Sequence, residues 1–361
     1  MIRILPALFC AALFGSLVHA ADWTIATYAG TGKQGFSGDG GPATEAMLNN
    51  PFGLVRGPDG ALWFCEYGGH RIRRVTLDGK IQTMAGNGKA AYTGDGGPAL
   101  EASFNLPHEI RFDKAGNYFI ADMKNNAVRR IDGKTGVIST FVGTGKAGFS
   151  GDGGPANQAE LKQPHSIQFS PEGDLYICDI GNNRIRKVDM KTGLISTFAG
   201  TGVAGVTPEG APISGTPLKG PRSIDFDHEG NLWLVTREGN QVLKFDLKGG
   251  VIHLMAGTGV NGFTGNGGPA LKAALKGPKG IALDAEGNAW LTDTESHSIR
   301  MIEARTGNLL LMVGTGAKGD GPDGDPLKCQ MARPHGVLAD SDGAIYIGDS
   351  ECHRVRVLKK K

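Results

Sequence analysis

Short runs of alternating apolar and polar residues recur along the chain, separated by turns rich in glycine, asparagine and aspartate. In the stretch Phe141–Thr197 the run His165–Phe169 is followed by the turn Pro171-Glu172-Gly173-Asp174 and a second run, Leu175–Cys178. Asp179–Asn183 turns the chain into Arg184–Val188, and Lys191-Thr192-Gly193 turns it again into Leu194–Phe198. Short runs of period-two alternation bounded by such turns predict four antiparallel strands. An Asp-Gly, Glu-Gly or Ala-Gly pair occupies the first hairpin in every copy of the pattern. A glycine-rich loop and a short stretch predicted to be helical, Ala156–Leu161 here and Ala99–Phe104 in the preceding copy, lead through a proline into the first strand.

The copies are in register. Their opening glycines, Gly30, Gly86, Gly143, Gly200, Gly257 and Gly314, are spaced by 56, 57, 57, 57 and 57 residues. Six four-stranded units at this period predict an all-β fold, a closed six-bladed β-propeller. The last copy stops at Val357-Leu358-Lys359, after its third strand, and Trp23–Tyr28 stands where Leu194–Phe198 stands in the third copy. The N-terminal strand is therefore expected to complete the C-terminal blade, which removes the exposed edges of an open sheet.

Ahead of the repeats, the cationic start Met1-Ile2-Arg3, the apolar run Ile4–Val18 and the small residues before Asp22 predict a secretory signal peptide at 1–21. Residues 22–361 then form one propeller domain, exported to a periplasmic or extracellular space and expected to be a monomer. Cys10 has no lipobox around it, and no other segment approaches the length of a membrane span. Removing Arg3 from 38 basic residues leaves 37 against 36 acidic ones. That balance offers no electrostatic footprint for nucleic acid.

Three sets of repeated residues bear on chemistry. Gly38-Asp39-Gly40-Gly41 recurs at Gly94–Gly97 and Gly151–Gly154 and, with Asn266 for the aspartate, at Gly265–Gly268. It lacks the alternating oxygen ligands of a calcium loop and the Lys-Ser/Thr of a phosphate loop, so it reads as a turn that builds each blade. His70, Asn126, Asn183, Asn240, His297 and His353 share the position before the third strand. They are expected to hydrogen-bond a local turn near the blade surface, with Glu66, Asp122, Asp179, Asp293 and Asp349 upstream accepting backbone amides.

The third set is the candidate site. The residues directly after the proline that leads into each innermost strand are Phe52, His108, His165, Arg222, Lys279 and His335. Innermost strands surround a propeller axis, so these six are expected to ring one mouth of the central channel. Five of them are basic or can become so, and gathering them costs repulsion unless an anion, a metal or Glu109 offsets it. An anionic ligand would select such a cleft.

The repeat elements AGTG, GDGGPA, the proline before the inner strand and Asp-x-x-Asn-x-Arg-Ile after the second strand resemble the NHL-repeat family of six-bladed propellers over the whole of 22–361. The fourth and sixth copies depart from it in the loop, at Val206–Gly210 and Asp320–Asp325. The resemblance implies a scaffold used for binding, sensing and some enzymes, which leaves function to the site. Leu106-Pro107-His108-Glu109-Ile110, Gln163-Pro164-His165-Ser166-Ile167 and Arg333-Pro334-His335-Gly336-Val337 also resemble the Pro-His elements of the peptidyl-α-hydroxyglycine α-amidating lyase propeller. That likeness implies zinc, or another divalent metal, on His108, His165 and His335, with Arg222, Glu109 and Tyr67 as catalytic candidates for lyase or hydrolase chemistry. The lyase takes its histidines from alternate blades, whereas these come from copies two, three and six. Gluconolactonase-type propellers hold their metal with acidic and amide side chains, where the ring here is basic. The two expectations are thus a propeller binding a small anionic molecule, a sugar or a peptide, and a metal-dependent enzyme at the same mouth.

Cys65 and Cys178 take one repeat position near the end of the second strand and are expected to be buried thiols. Cys329 and Cys352 both fall on the face of the histidine ring, where export would permit a disulfide.

Overall fold

The computed structural model describes residues 19–361. The cationic start, the apolar run and Cys10, on which the signal-peptide reading rests, lie outside the described residues. Six antiparallel sheets form the fold, and in each the four strands of the blade lie side by side from the inside out, with the outermost strand of the last blade supplied by the N-terminus. The inner strands are Pro51–Arg56, Pro107–Phe112, Pro164–Phe169, Pro221–Phe226, Gly280–Leu283 and Gly336–Ala339. Each packs against the next, and the last against the first, so the ring is closed.

In blade 3 the four strands are Pro164–Phe169, Leu175–Asp179, Arg184–Val188 and Ile195–Ala199, within a residue of the expected bounds. Blades 4 and 5 add a two-residue outer strand, Ala211–Pro212 and Gly268–Pro269. Trp23–Ala29 is the outer strand of blade 6, with Trp23 opposite Lys360 and Ile25 opposite Leu358. The predicted helical stretches are shorter than expected. Ala156–Gln158 is a single 3-10 turn, and Ala99–Phe104 contains no helix. Both segments are pulled out of helical form by bridges across the glycine loop, Ala147 to Leu161 and Ala90 to Phe104.

The core lies between blades. Alternate residues of the wholly buried strand Leu175–Asp179 face opposite ways: Leu175 and Ile177 join the cluster shared with blade 2, while Tyr176 and Cys178 join that shared with blade 4. Cys65 packs in the same manner between blades 1 and 2. The repeating glycine marks a close approach. Gly143 has φ +96°, and a Cβ there would sit 2.5 Å from the Asn126 carbonyl oxygen. Its counterparts abut the equivalent carbonyls of the other blades, which explains a glycine at every repeat.

Candidate binding site at the mouth of the channel

Each ring residue is set in place by a contact between blades. His70, Asn126, Asn183, Asn240, His297 and His353 all have left-handed backbone, with φ from 47° to 53°. Their side chains do not serve a local turn. Each accepts a hydrogen bond of 2.9–3.3 Å from a backbone N–H of the following blade, at Leu106, Gln163, Gly220, Gly277, Arg333 and Asn50. Those six donors also have positive φ and directly precede the proline of the inner strand. The sequence expectation is corrected here: the histidines and asparagines are clips between blades. Burial holds the His70, His297 and His353 imidazoles below their usual range, in keeping with Nδ1 acting as an acceptor.

A second repeated device fixes the approach to the mouth. Glu66, Asp122, Asp179, Asp293 and Asp349 accept backbone N–H groups of Asn49, Asn105, Lys162, Lys276 and Ala332. The same carboxylates pair with the buried Arg73, Arg129, Arg186, Arg300 and Arg356. In three blades the arginine continues to the loop aspartate, at 2.8 Å for Arg73–Asp39, 2.5 Å for Arg129–Asp95 and 2.7 Å for Arg186–Asp152. The Gly-Asp-Gly-Gly run is thus a lid on a buried cation. In blade 6 Asp320 and Asp323 do this work from a different loop. Blade 4 has Thr236 and Leu243 at the paired positions, and its loop likewise lacks the aspartate.

Phe52, His108, His165, Arg222, Lys279 and His335 line one cavity of about 370 Å³. The six come together as expected. Phe52 stacks on His335 with centroids 4.0 Å apart, meets His108 edge-on at 4.9 Å, and has Tyr67 on it at 4.4 Å. His108 and His165 are 4.7 Å apart. Arg222 reaches across from blade 4 and donates to His108 Nε2 over 2.6 Å.

Tautomers follow from these partners. His165 Nδ1 and His335 Nδ1 each lie 2.7 Å from a carbonyl oxygen, of Gln163 and Arg333, which can only accept. Both protons therefore sit on Nδ1, and both Nε2 atoms are acceptors. Burial, with Arg222 beside them, pushes His108 and His165 well below the usual imidazole range; burial and Lys279 do the same for His335.

Charge at the mouth is compensated unevenly. Lys279 Nζ lies 2.6 Å from Glu295, and Arg333 lies 2.7 Å from Glu295 and 2.8 Å from Glu351. Burial lowers Lys279 to about 8 even so. Burial also pushes Glu295 up, but the hydrogen bonds from Arg333 and Lys279 outweigh it and hold that carboxyl at about 2. Arg222 is 3% exposed and pairs with no carboxylate among the described residues. Its Nε is buried without a hydrogen bond, and burial followed by the field of Arg237 lowers its pKa to about 9.

The three histidines fit a metal poorly in this arrangement. His108 Nε2 is taken by Arg222, and His335 Nε2 is 3.4 Å from Lys279 Nζ, so two of the three lone pairs face cations. Among the described residues, the one group of three ligand atoms gathered within 4.8 Å is Asp320, Asp349 and Cys352, and Arg356 bonds both of its carboxylates. Glu109 lies outside the mouth cavity, bonded to Arg111, whereas Tyr67 lines the cavity. Cys65, Cys178, Cys329 and Cys352 are all free, which corrects the expected disulfide. Cys352 Sγ turns to the Gly319 carbonyl at 2.9 Å, while Cys329 packs in the cluster between blades 5 and 6.

Sequence reading missed Arg237, Arg333 and Glu351, which also line the mouth. One signal was available. The position after the buried acid, or after Thr236 in blade 4, reads Tyr67, Met123, Ile180, Arg237, Thr294 and Ser350, different in every copy.

The NHL repeat profile matches residues 331–358, which is blade 6. Protein SUPPRESSOR OF QUENCHING 1 of Arabidopsis thaliana is 25% identical over 272 residues, covering 72% of this chain and 25% of that protein. NHL repeat-containing protein 2 of Gallus gallus is 27% identical over 288 residues, covering 71% of this chain and 39% of its own. The chain thus spans well under half the length of these relatives. An auxiliary nutrient binding protein from Bacteroides thetaiotaomicron shares the fold, with a TM-score of 0.68 and 16% identity over 94% of this chain and 77% of that one. The internal period, the closed ring of six blades and these matches together make the chain an NHL-repeat six-bladed β-propeller.

Proposed function

We propose that this NHL propeller is an exported binding protein that captures a small anionic ligand, a sugar acid or a peptide carboxylate, at the His/Arg/Lys mouth of its channel. The observation that carries the reading is Arg222, a buried guanidinium with no carboxylate partner among the described residues, facing a cavity also lined by Lys279. A buried charge left unpaired is costly, and a bound carboxylate supplies the missing partner in bidentate geometry. Neutral His165 offers an acceptor at Nε2 to a hydroxyl on the same ligand. The cavity volume falls in the range of small-ligand sites. The signal-peptide reading supports export.

The test is calorimetric titration of the purified protein with galacturonate, gluconate, citrate and an acetylated amino acid, beside neutral galactose. Binding of carboxylates alone, lost in R222A and weakened in K279A, is the expected result. Unchanged affinity in both variants overturns the anion site. The competing reading is a metal-dependent lyase or hydrolase on His108, His165 and His335; what favours it is the Nδ1–H to carbonyl bond of His165 and His335, a common way of orienting metal-binding imidazoles. Stoichiometric zinc in the wild type that disappears in H108A would replace the binding proposal with that one.

A further inference from the structure

We infer that the mouth is one end of a longer cleft, and that its ligand is an acidic oligosaccharide, a short chain of uronic acids. This deepens the proposed anion site and rests on it. A second cavity of about 530 Å³ adjoins the mouth above blades 2 to 4 and shares Tyr67, His165 and Arg237 with it. Its other cations are Lys124 and Lys219, both exposed, and neither has an acidic partner among the described residues. Among the described residues, the single carboxylate lining this part of the cleft is Glu238, 3.5 Å from Arg237. Uncompensated positive charge therefore runs from Arg222 at the axis outward over His165. On the opposite side, Glu295 and Glu351 already neutralise Lys279 and Arg333. The ligand's extension is set by that asymmetry.

The groups between the two charged ends suit a sugar chain. His165 Nε2, in the tautomer its Gln163 bond dictates, accepts only, so it requires a ligand donor such as a hydroxyl. The Tyr67 ring lies at the junction of the two cavities, backed by Phe52 and with its hydroxyl making no hydrogen bond among the described residues. A rigid, amphipathic ring there offers a sugar face apolar contact and a hydroxyl partner at small entropic cost. A carboxylate at Arg222, hydroxyls at His165 and Tyr67, and a second carboxylate at Lys219 or Lys124 describe successive uronic acid units.

The experiment compares galacturonic acid, trigalacturonic acid, neutral maltotriose and triglutamate by calorimetry on the wild type and on the K124A/K219A double variant. These lysines are exposed, so the variant keeps the fold. Two added surface ion pairs predict trigalacturonate about tenfold tighter than the monomer in the wild type. In K124A/K219A that gain disappears while monomer affinity is unchanged. Equal binding of monomer and trimer overturns the extended cleft and leaves the anion site standing. Failure of every acid to bind removes both. Maltotriose binding as tightly as trigalacturonate overturns the charge argument, and triglutamate binding more tightly overturns the sugar assignment in favour of a peptide.

Discussion

Blade 4 is a natural experiment on the buried ion pair of the other five blades, and blade 3 can be converted to it. Arg186 is wholly buried and pairs with Asp179 at 3.6 Å and Asp152 at 2.7 Å. It also donates to the carbonyls of Ser150 and Glu160. Replacing it by leucine, the residue blade 4 has at Leu243, leaves Asp179 buried without its cation. Removing one partner of a buried pair costs about 3–5 kcal/mol. The contact to Asp152 adds about 1 kcal/mol at most, because that carboxylate is 42% exposed. Changing Asp179 to threonine as well, as at Thr236, removes the stranded charge and supplies the pair that blade 4 already packs. The double variant D179T/R186L is therefore expected to be more stable than the sum of the singles predicts, with a coupling of about 1–3 kcal/mol. Urea unfolding followed by tryptophan fluorescence, read as midpoints at constant slope, measures the cycle. Additive losses would refute the reasoning, because the acid and the arginine would then hold the blade independently.

Anion affinity at the mouth depends on pH through Lys279 and Arg222, which burial lowers to about 8 and about 9. Deprotonation removes positive charge, so galacturonate affinity measured by titration falls as pH rises through about 8; K279R, which keeps its charge, shifts that fall upward. The inter-blade clip at Asn183 combines left-handed backbone with the bond to Gly220 N–H, so N183A loses about 2–3 kcal/mol and N183G, which keeps the backbone, about 1 kcal/mol, in the same urea assay. The free thiols are buried, so Cys65, Cys178, Cys329 and Cys352 react with a thiol reagent only after unfolding, and reduction leaves the intact mass unchanged. Export with cleavage before Asp22 gives a mature protein whose first residue, read by Edman sequencing, is aspartate.

The chain's own pattern determined the blade number, the strand order and the closure by Trp23–Ala29, because a fixed period and alternating burial are local properties that six copies confirm against one another. It also placed Phe52, His108, His165, Arg222, Lys279 and His335 on one ring, since equivalent positions in a symmetric array must converge. Tertiary structure decided what those residues meet there. Whether Arg222 has a carboxylate depends on Glu109 turning to Arg111, and whether Lys279 has one depends on Glu295, which no spacing announces. The clips at His70 and its counterparts, and the link from Asp39, Asp95 and Asp152 to buried arginines, were visible as repeats but not as contacts. Repetition identifies which residues share a position; only packing of one blade against the next brings donor to acceptor and fixes which charges remain uncompensated.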